Sequence, residues 1–269
     1  PRVGKKTVTS DRKVYEKLSE HIGKYPVVLL APNDTDLIRD AAETRRKLFD
    51  GILSQLDPEY LQLYLRYAKL LDQRNSLLKQ FAEQNYLDED LLNIYSEGLL
   101  SAGKELYTRR ANFLQNFEPL FQTQYQFLSE ERENVQLVYV SDLSAQDFEE
   151  RFRQNLQRDL AAQRTTLGVH KDDYSFLMEG VPIKKFGSQG QKKSYVMALK
   201  LAQFQCIEAD RQTKPLLLLD DIFDKLDDRR IACLIEKMSS FGQVFLSDAR
   251  PERTAELLKN KEVTMIELE

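Results

Sequence analysis

Hydrophobic positions change their spacing along the chain, and these changes divide it into three parts. Continuous apolar runs occur near the amino terminus, at 26–31, and again near the carboxyl terminus, at 216–219. Runs of this length are typical of strands that are buried on both faces of a sheet. Between them, residues 35–134 carry apolar side chains at alternating steps of three and four, which predicts long helices packed on one another.

The two ends therefore carry α/β patterns that flank a helical middle. After the apolar run at 216–219, strand and helix signals alternate to the end of the chain, which favours a largely parallel sheet. The simplest architecture is an α/β fold in which both ends join one mostly parallel sheet. The middle is then a large inserted helical lobe.

Several element boundaries follow from local signals. Asp57 and Pro58 suit the N-cap and the first position of a helix, and Ser144 and Asp147 fit a capping box before a helix that begins at Phe148. The other patterns predict a hairpin with strands at 174–178 and 181–186, a helix at 188–210 and a last strand at 262–267.

Composition narrows the class of protein. A chain with 42% hydrophobic and 30% charged residues suits a soluble globular protein, and no apolar run approaches the roughly 20 residues of a membrane span. We expect a cytoplasmic protein with no membrane contact, in which Cys206 and Cys233 are reduced thiols. The net charge of −4 excludes a globally basic nucleic-acid binder. Any DNA contact must come from local clusters, for which a solvated surface is the default interpretation: Lys184-Lys185, Lys192-Lys193, Arg45-Arg46-Lys47 and Arg109-Arg110.

The first candidate for chemistry is the pair Asp220-Asp221 at the end of the apolar run. A strand that ends in two carboxylates places them at the carboxyl edge of a parallel sheet, where ligands bind in open α/β folds. One carboxylate can hold Mg²⁺ and the next can orient or deprotonate a water. The competing interpretation is that these acidic residues only cap the following turn.

The second candidate is the segment 186–191, Phe-Gly-Ser-Gln-Gly-Gln, which opens a predicted helix. The N-terminus of a helix offers unpaired N–H groups and the positive end of the helix dipole, so that it suits an anion. The competing interpretation is that Ser188 only caps the helix and that Gly187 and Gly190 only shape the turn.

Taken together, these features resemble the RecF family of ABC/SMC-type ATPases. A glycine-containing helix start, a helix, a strand ending in two aspartates and then Leu226-Asp227 follow the order of an ABC-type ATPase. The family signature is Ser-x-Gly-Gln preceded by Phe-Gly, as at 186–191. Segment 168–173 is similar to the family's Gly-Pro-His-Arg-Asp-Asp, with Val169 and Lys171 as departures. The similarity runs from about residue 25 to residue 248, and includes 31–34, 45–46 and 54–57.

The resemblance implies a partial ABC-ATPase head, with 1–40 and 205–269 in the ATPase lobe and 41–204 in a helical lobe that carries the signature motif. It implies ATP and Mg²⁺ as cofactors, with Asp220 holding the metal and Asp221 activating water as the catalytic residue. The switch residue would be Ser247 or Asp248 in place of the usual histidine. The residues expected to contact nucleotide are Ser188, Gln189, Gly190, Gln191, Asp227, Asn33 and Asp34.

The resemblance also implies partners and an incomplete site. It implies an ATP-dependent homodimer on duplex DNA and gap junctions, near the nucleoid, that works with RecO- and RecR-type mediators to load recombinase. In ABC-type proteins, signature and carboxylates of different protomers meet around the nucleotide. The phosphate-binding pattern Gly-x-x-x-x-Gly-Lys-Ser/Thr does not occur in 1–269. The chain starts at Pro1 within a predicted hairpin at 3–9, so we expect a piece of a longer protein whose P-loop precedes it.

Two other classes of function stay open at this point. The acidic residues Asp220, Asp221, Asp224, Asp227 and Asp228 would suit a metal-dependent nuclease, but that interpretation leaves 188–191 unexplained. A structural helical adaptor leaves the carboxylate pair unexplained. His170 is either part of a functional family motif or a hydrogen-bonded structural histidine.

Overall fold

The computed structural model describes residues 7–10, 12–129, 133–222 and 228–266. The chain divides into two compact units. Unit 1 comprises Pro1–Tyr25, Asp40–Glu118 and Leu137–Phe176, and unit 2 comprises Pro26–Arg39, Pro119–Gln136 and Leu177–Glu269. The predicted lobe boundaries at residues 40 and 205 stay a prediction about the family's lobes. In the compact units, residues 177–204 fall with the strands of unit 2.

Unit 1 is mostly helical. Its short strands β1 (Thr9–Ser10) and β2 (Lys13–Val14) pair antiparallel, while most of the predicted hairpin at 3–9 lies outside the described residues. Its helices are α2 (Ala42–Leu56), α3 (Pro58–Gln84), the first part of α4 (Glu89–Ser129), α5 (Phe148–Gln154) and α6 (Leu156–Ala162). Apolar side chains of α2, α3 and α4 form one core, as the periodicity predicts.

Local signals placed the helix starts with unequal success. Asp57 caps α3, because its Oδ1 accepts the N–H groups of Glu59 and Tyr60 at 2.8 and 3.0 Å, as predicted. The predicted capping box before Phe148 is wrong. Ser144 instead donates its hydroxyl to the carbonyl oxygen of Ser141, within a short 3₁₀ turn, and the side chain of Asp147 makes no cap bond.

Unit 1 buries charge as well as apolar surface. The Arg110 guanidinium is 2% exposed and donates to both carboxylate oxygens of Asp50, to Asp172 and to the carbonyl oxygen of Val169. Arg45 binds Asp173 through two nitrogens at 2.7 and 3.0 Å. A solvated surface is therefore the wrong interpretation for Arg45 and Arg110, because both side chains are buried and paired with carboxylates.

Unit 2 contains the parallel sheet. Strands β3 (Val27–Leu30), β7 (Leu216–Asp220) and β8 (Val244–Ser247) are all parallel, with β7 in the centre. A strand near the amino terminus thus pairs with one near the carboxyl terminus, which confirms the predicted α/β fold class. The helices of this unit are α1 (Asp36–Arg39), α7 (Ile183–Phe186), α8 (Gln189–Arg211), α9 (Asp228–Met238) and α10 (Pro251–Leu257), together with the end of α4.

The two faces of this sheet differ in burial. Helix α8 packs against β3, and Val28, Leu30, Leu217 and Leu219 on alternate positions are buried. On the opposite face Val27, Leu29 and Phe245 are 36%, 46% and 50% exposed. Side chains of a strand alternate between the two faces of the sheet, and here only one of those faces is covered. The prediction that 26–31 is buried on both faces is therefore wrong for this chain.

A second sheet has the order β4 (Val135–Val140), β5 (Asp173–Met178) and β6 (Val181–Pro182). The hairpin between β5 and β6 is present, but its predicted second strand ends early because residues 183–186 form α7. The predicted last strand is also wrong, since residues 262–266 form no strand. Among the helices that the structure describes, none combines the length and apolar character needed to cross a membrane.

Candidate functional site

The carboxylate pair lies at the carboxyl edge of the parallel sheet. Asp220 is the last residue of β7, and its Oδ1 accepts a hydrogen bond from the Ser247 hydroxyl of β8 at 2.5 Å. The N–H group of Asp221 donates to the carbonyl oxygen of Ser247 at 3.0 Å. Asp221 has φ of 45°, in the left-handed region. Such a conformation costs a residue with a side chain of order 1 kcal/mol and is frequent at functional sites.

The two candidates for the switch residue have different neighbours. Ser247 faces Asp220, as its hydrogen bond shows. Asp248 instead accepts from the N–H group of Arg250 and the hydroxyl of Thr254, at 2.9 Å each, and so holds the start of α10. Ser247 is therefore the one in contact with the carboxylate pair.

The segment 188–191 begins α8 with a reciprocal cap. The Ser188 Oγ accepts from the N–H group of Gln191 at 3.2 Å, and the Gln191 Oε1 accepts from the N–H group of Ser188 at 2.6 Å. The capping role of Ser188 is thus observed. It is compatible with anion binding, because a helix cannot pair the N–H groups of its first residues internally.

Other elements of unit 2 surround this helix start. Arg39 of α1 donates to the Gln189 Oε1 at 3.1 Å. A Cβ atom at position 190 would lie 3.3 Å from Nη1 of Arg230, so that glycine leaves room for this guanidinium. At position 187 a Cβ atom would lie 2.5 Å from Cγ1 of Ile183, which only glycine avoids.

The segment after β3 forms a short 3₁₀ turn at Pro32–Thr35. The Asp34 Oδ2 accepts the N–H group of Ala31 at 2.8 Å, and its Oδ1 pairs with the Lys200 ammonium at 3.1 Å. The side chain of Asn33 is exposed. Of the two residues predicted here, Asp34 is the one held in place by its surroundings.

One pocket of unit 2, with a volume of about 310 Å³, brings several predicted residues together. Asp34, Gln189, Asp220 and Asp221 all line it. The remaining predicted site residues do not line it: Ser188, Gly190, Gln191 and Asn33. Asp227 lies outside the described residues.

The pocket also contains two cations, Arg39 and Lys193. Sequence reasoning missed Arg39 and considered Lys193 only within a surface cluster that could contact DNA. No local signal could have placed either of them beside the carboxylates, because the pocket is assembled from segments that are far apart along the chain.

The donor set at the sheet edge fits a hard cation shared with a phosphate. Mg²⁺ in nucleotide sites is commonly bound by one or two carboxylates together with phosphate oxygens and water. Asp220 and Asp221 supply such a pair, while the part of the chain that the structure describes contains no group of three side chains able to ligate a metal.

The motif at 168–173 lies in unit 1, and two hydrogen bonds hold its histidine. The His170 Nε2 lies 3.1 Å from the carbonyl oxygen of Thr165, which can only accept, so Nε2 carries the proton. The Nδ1 then accepts from the Tyr67 hydroxyl at 2.9 Å. Burial lowers the pKa of His170 to about 4. The ring is therefore neutral near pH 7 and acts as a hydrogen-bonded structural histidine.

Comparison with known proteins decides the family. The DNA replication and repair protein RecF of Flavobacterium johnsoniae is 46% identical over 262 residues, which cover 97% of this chain and 73% of that protein. The chain belongs to the RecF family. The RecF of Cytophaga hutchinsonii is also 46% identical, over 93% of this chain and 67% of its own length. No family model matches the chain.

Solved RecF structures agree with this assignment. The recombination mediator protein RecF of the RecFOR pathway, in a structure with ATPrS, superimposes with a TM-score of 0.83 at 28% identity, over 92% of this chain and 68% of that one. A structure of RecF with ATP gives a TM-score of 0.84. The resemblance inferred from the residues is thus confirmed, and the chain has the fold of these RecF proteins.

Proposed function

We propose that this chain is the part of a RecF-type ATPase that carries the signature helix, the carboxylate pair and the switch serine. In the whole protein, ATP would close a homodimer on duplex DNA at gap junctions, and hydrolysis would open it. The protein would act in the cytoplasm with RecO- and RecR-type mediators to load recombinase. The observation that carries the proposal is the pocket in which Gln189, Asp220 and Asp221 meet.

ATP as the ligand is supported by the relatives and by the charges in the pocket. RecF proteins of the same fold have been solved with ATP and ATPrS. In this chain the cations Arg39 and Lys193 face the same pocket as the carboxylates, an arrangement that suits a phosphate chain with its metal. The sequence pattern of a P-loop does not occur in 1–269, and we propose that residues outside this range supply its amide cradle.

The two carboxylates would have different roles. Asp220, oriented by the Ser247 hydroxyl at 2.5 Å, would hold Mg²⁺. Asp221, on the turn that ends the strand, would orient the attacking water and accept its proton. Ser247, the last residue of β8, would be the γ-phosphate sensor. The start of α8 would face the γ-phosphate held by the partner protomer, through Ser188, Gly190 and Gln191.

DNA contact is best supported at clusters that the structure leaves on the surface. Arg45 and Arg110 are buried, and Arg109 pairs with Asp57, Glu59 and Glu105. Lys184 and Lys185 are exposed on α7, next to the signature segment. We therefore favour this pair over the arginine clusters for contact with DNA phosphates.

The nuclease alternative has less support. A two-metal site needs several clustered carboxylates, and this interpretation leaves the capped helix start at 188–191 without a role. Two of the acidic residues considered for it, Asp224 and Asp227, lie outside those residues. Nicking of DNA by the full-length protein with Mg²⁺, in the absence of ATP, would support the nuclease instead.

The test uses the full-length protein and near-isosteric substitutions. Asp221→Asn should retain ATP binding and lose turnover by about 10²–10⁴-fold, the usual contribution of a general base. Asp220→Asn should instead weaken the binding of Mg·ATP. Asp210→Asn, at the exposed end of α8, is the matched control and should change neither quantity. Equal losses of affinity and turnover in both site variants would contradict the division of roles.

The chain 1–269 alone should release phosphate from ATP at a negligible rate. Phosphoryl transfer depends on groups that position the phosphates, and the P-loop pattern that supplies them does not occur in 1–269. Phosphate release measured with Mg²⁺ and DNA tests this expectation. Turnover equal to that of the full-length protein would show that the P-loop is dispensable.

A further inference from the structure

Glu133 connects the signature helix to the end of α4. Its Oε1 accepts from the Gln191 Nε2 at 2.6 Å, and its Oε2 accepts from the Tyr125 hydroxyl at 2.5 Å. Tyr125 belongs to α4 and is fully buried. All three residues lie in unit 2. One partly buried carboxylate thus joins two helices that are distant in sequence.

The chemistry of these groups permits one orientation of the Gln191 amide. An ionised carboxylate only accepts hydrogen bonds, so the NH₂ group must face Glu133. A backbone N–H group only donates, so the Gln191 Oε1 must face the N–H group of Ser188, 2.6 Å away. Glu133 therefore sets the amide that completes the cap of α8.

The same segment is attached to α8 at a second point. The Tyr195 hydroxyl, one turn after Gln191, donates to the carbonyl oxygen of Gln136 at 2.7 Å. Residues 133–136 thus run alongside the first turns of α8, and a displacement of this segment would move the start of the helix. Without the carboxylate, Gln191 can rotate and release the N–H group of Ser188.

We propose that Glu133 is a positioning residue for the signature motif, which through Gln191 holds the Ser188 turn in the geometry that receives the γ-phosphate. This role rests on the proposed function. Hydrogen bonds in which one partner is ionised are about twice as strong as neutral ones, so Glu133 fixes Gln191 more firmly than a neutral acceptor would. The link to Tyr125 makes the end of α4 part of the same support.

The test compares four variants of the full-length protein. Glu133→Ala removes the acceptor. Gln191→Glu places a second carboxylate against Glu133, at the position where Gln191 Nε2 now lies 2.6 Å from Glu133 Oε1. The double variant Glu133→Gln, Gln191→Glu exchanges the two groups and restores every hydrogen bond, because glutamate is a regular partner in a capping box. Glu256→Ala, at an exposed position of α10, is the control.

Two quantities are measured for each variant. One is the rate of deuterium exchange of the Ser188 amide without nucleotide, which can be measured without any activity. The other is the ATP concentration at which half of the protein sediments as a dimer. Glu133→Ala and Gln191→Glu should each raise both by roughly tenfold, the order expected for one hydrogen bond to a charged group. The double variant should return both to within about threefold of wild type, while ATP affinity of the monomer stays constant throughout.

The outcomes separate this role from the proposed function. Unchanged exchange in Glu133→Ala, or faster exchange with normal ATP-driven dimerisation, overturns the positioning role alone. Failure of the exchanged pair to recover dimerisation, with exchange restored, also overturns it, because Gln191 itself is then what the site requires. A wild-type protein that does not dimerise with ATP overturns the proposed function, and with it this role.

Discussion

Replacing Arg110 by Met tests how unit 1 tolerates its buried charges. The guanidinium makes two hydrogen bonds of 2.9 Å to Asp50, one of 2.9 Å to the carbonyl oxygen of Val169 and one of 3.1 Å to Asp172. Met has similar length and no charge, so it fills the space of the side chain but leaves both carboxylates without their cation.

The expected cost follows from the burial of the partners. The side chains of Asp50 and Asp172 are 7% and 1% exposed, so water cannot replace the lost hydrogen bonds. Removal of one partner of a buried ion pair costs about 3–5 kcal/mol. We expect Arg110→Met to lower the free energy of unfolding of unit 1 by that amount.

Arg109 provides the matched control, because it is the neighbouring residue and makes three ion pairs, against two for Arg110. Its side chain is 27% exposed, and its partners Glu59 and Glu105 are 82% and 52% exposed. Exposed pairs contribute about 0–1 kcal/mol. Arg109→Met should therefore cost about 1 kcal/mol in total. Urea unfolding followed by far-UV circular dichroism measures both variants.

The pH dependence gives a second test of the same reasoning. Burial raises the pKa of Asp172 to about 6, although Tyr139, Ser141 and Arg110 counteract it. Loss of Arg110 raises this pKa further, so the folded variant takes up a proton at a pH where the unfolded chain does not. The deficit of Arg110→Met should thus be largest at pH 8 and shrink towards pH 5. Equal costs for the two arginine variants, or a deficit that grows on acidification, would refute the account.

Two further predictions concern local sites. Burial lowers the pKa of His170 to about 4, below its value in an unfolded chain, so stability that is present above pH 6.5 is lost as the pH falls towards 4. His170→Gln keeps a donor to Thr165 but does not titrate. Relative to this variant, wild type should lose about 2 kcal/mol of its free energy of unfolding over this pH range, as measured by urea unfolding. Parallel stability–pH profiles of the two proteins would contradict this. Gly187→Ala should lower the free energy of unfolding by about 1–3 kcal/mol, because its Cβ atom would lie 2.5 Å from Ile183. Gly51→Ala in α2 would place its Cβ atom more than 4 Å from any atom outside the adjacent helical turns, and it should raise this free energy by about 0.5–1 kcal/mol in thermal unfolding. A destabilised Gly51→Ala, or a neutral Gly187→Ala, would show that these environments are misjudged.

Several features that depend on a few neighbouring residues were predicted correctly from the sequence, although the capping box before Phe148 was not. The start of α3 depends on Asp57 and its two nearest N–H groups, and the start of α8 on Ser188 and Gln191. The parallel sheet followed from apolar runs, and the position of Asp220 followed from its place at the end of one of them. The two helix starts are set by hydrogen bonds within one turn, and each apolar run is a property of a single strand.

Tertiary structure decided which charged residues are buried and which assemble the site. Arg109 and Arg110 look equivalent in the sequence, yet only Arg110 is buried, because Asp50 and Asp172 approach it from other elements. Residues 183–186 suit a strand locally but form a helical turn before the signature motif. The contacts of Glu133 with Tyr125 and Gln191 likewise join segments distant along the chain. No local pattern encodes such pairs, because the free energy of a buried charge depends on partners that only the packed chain brings within hydrogen-bonding distance.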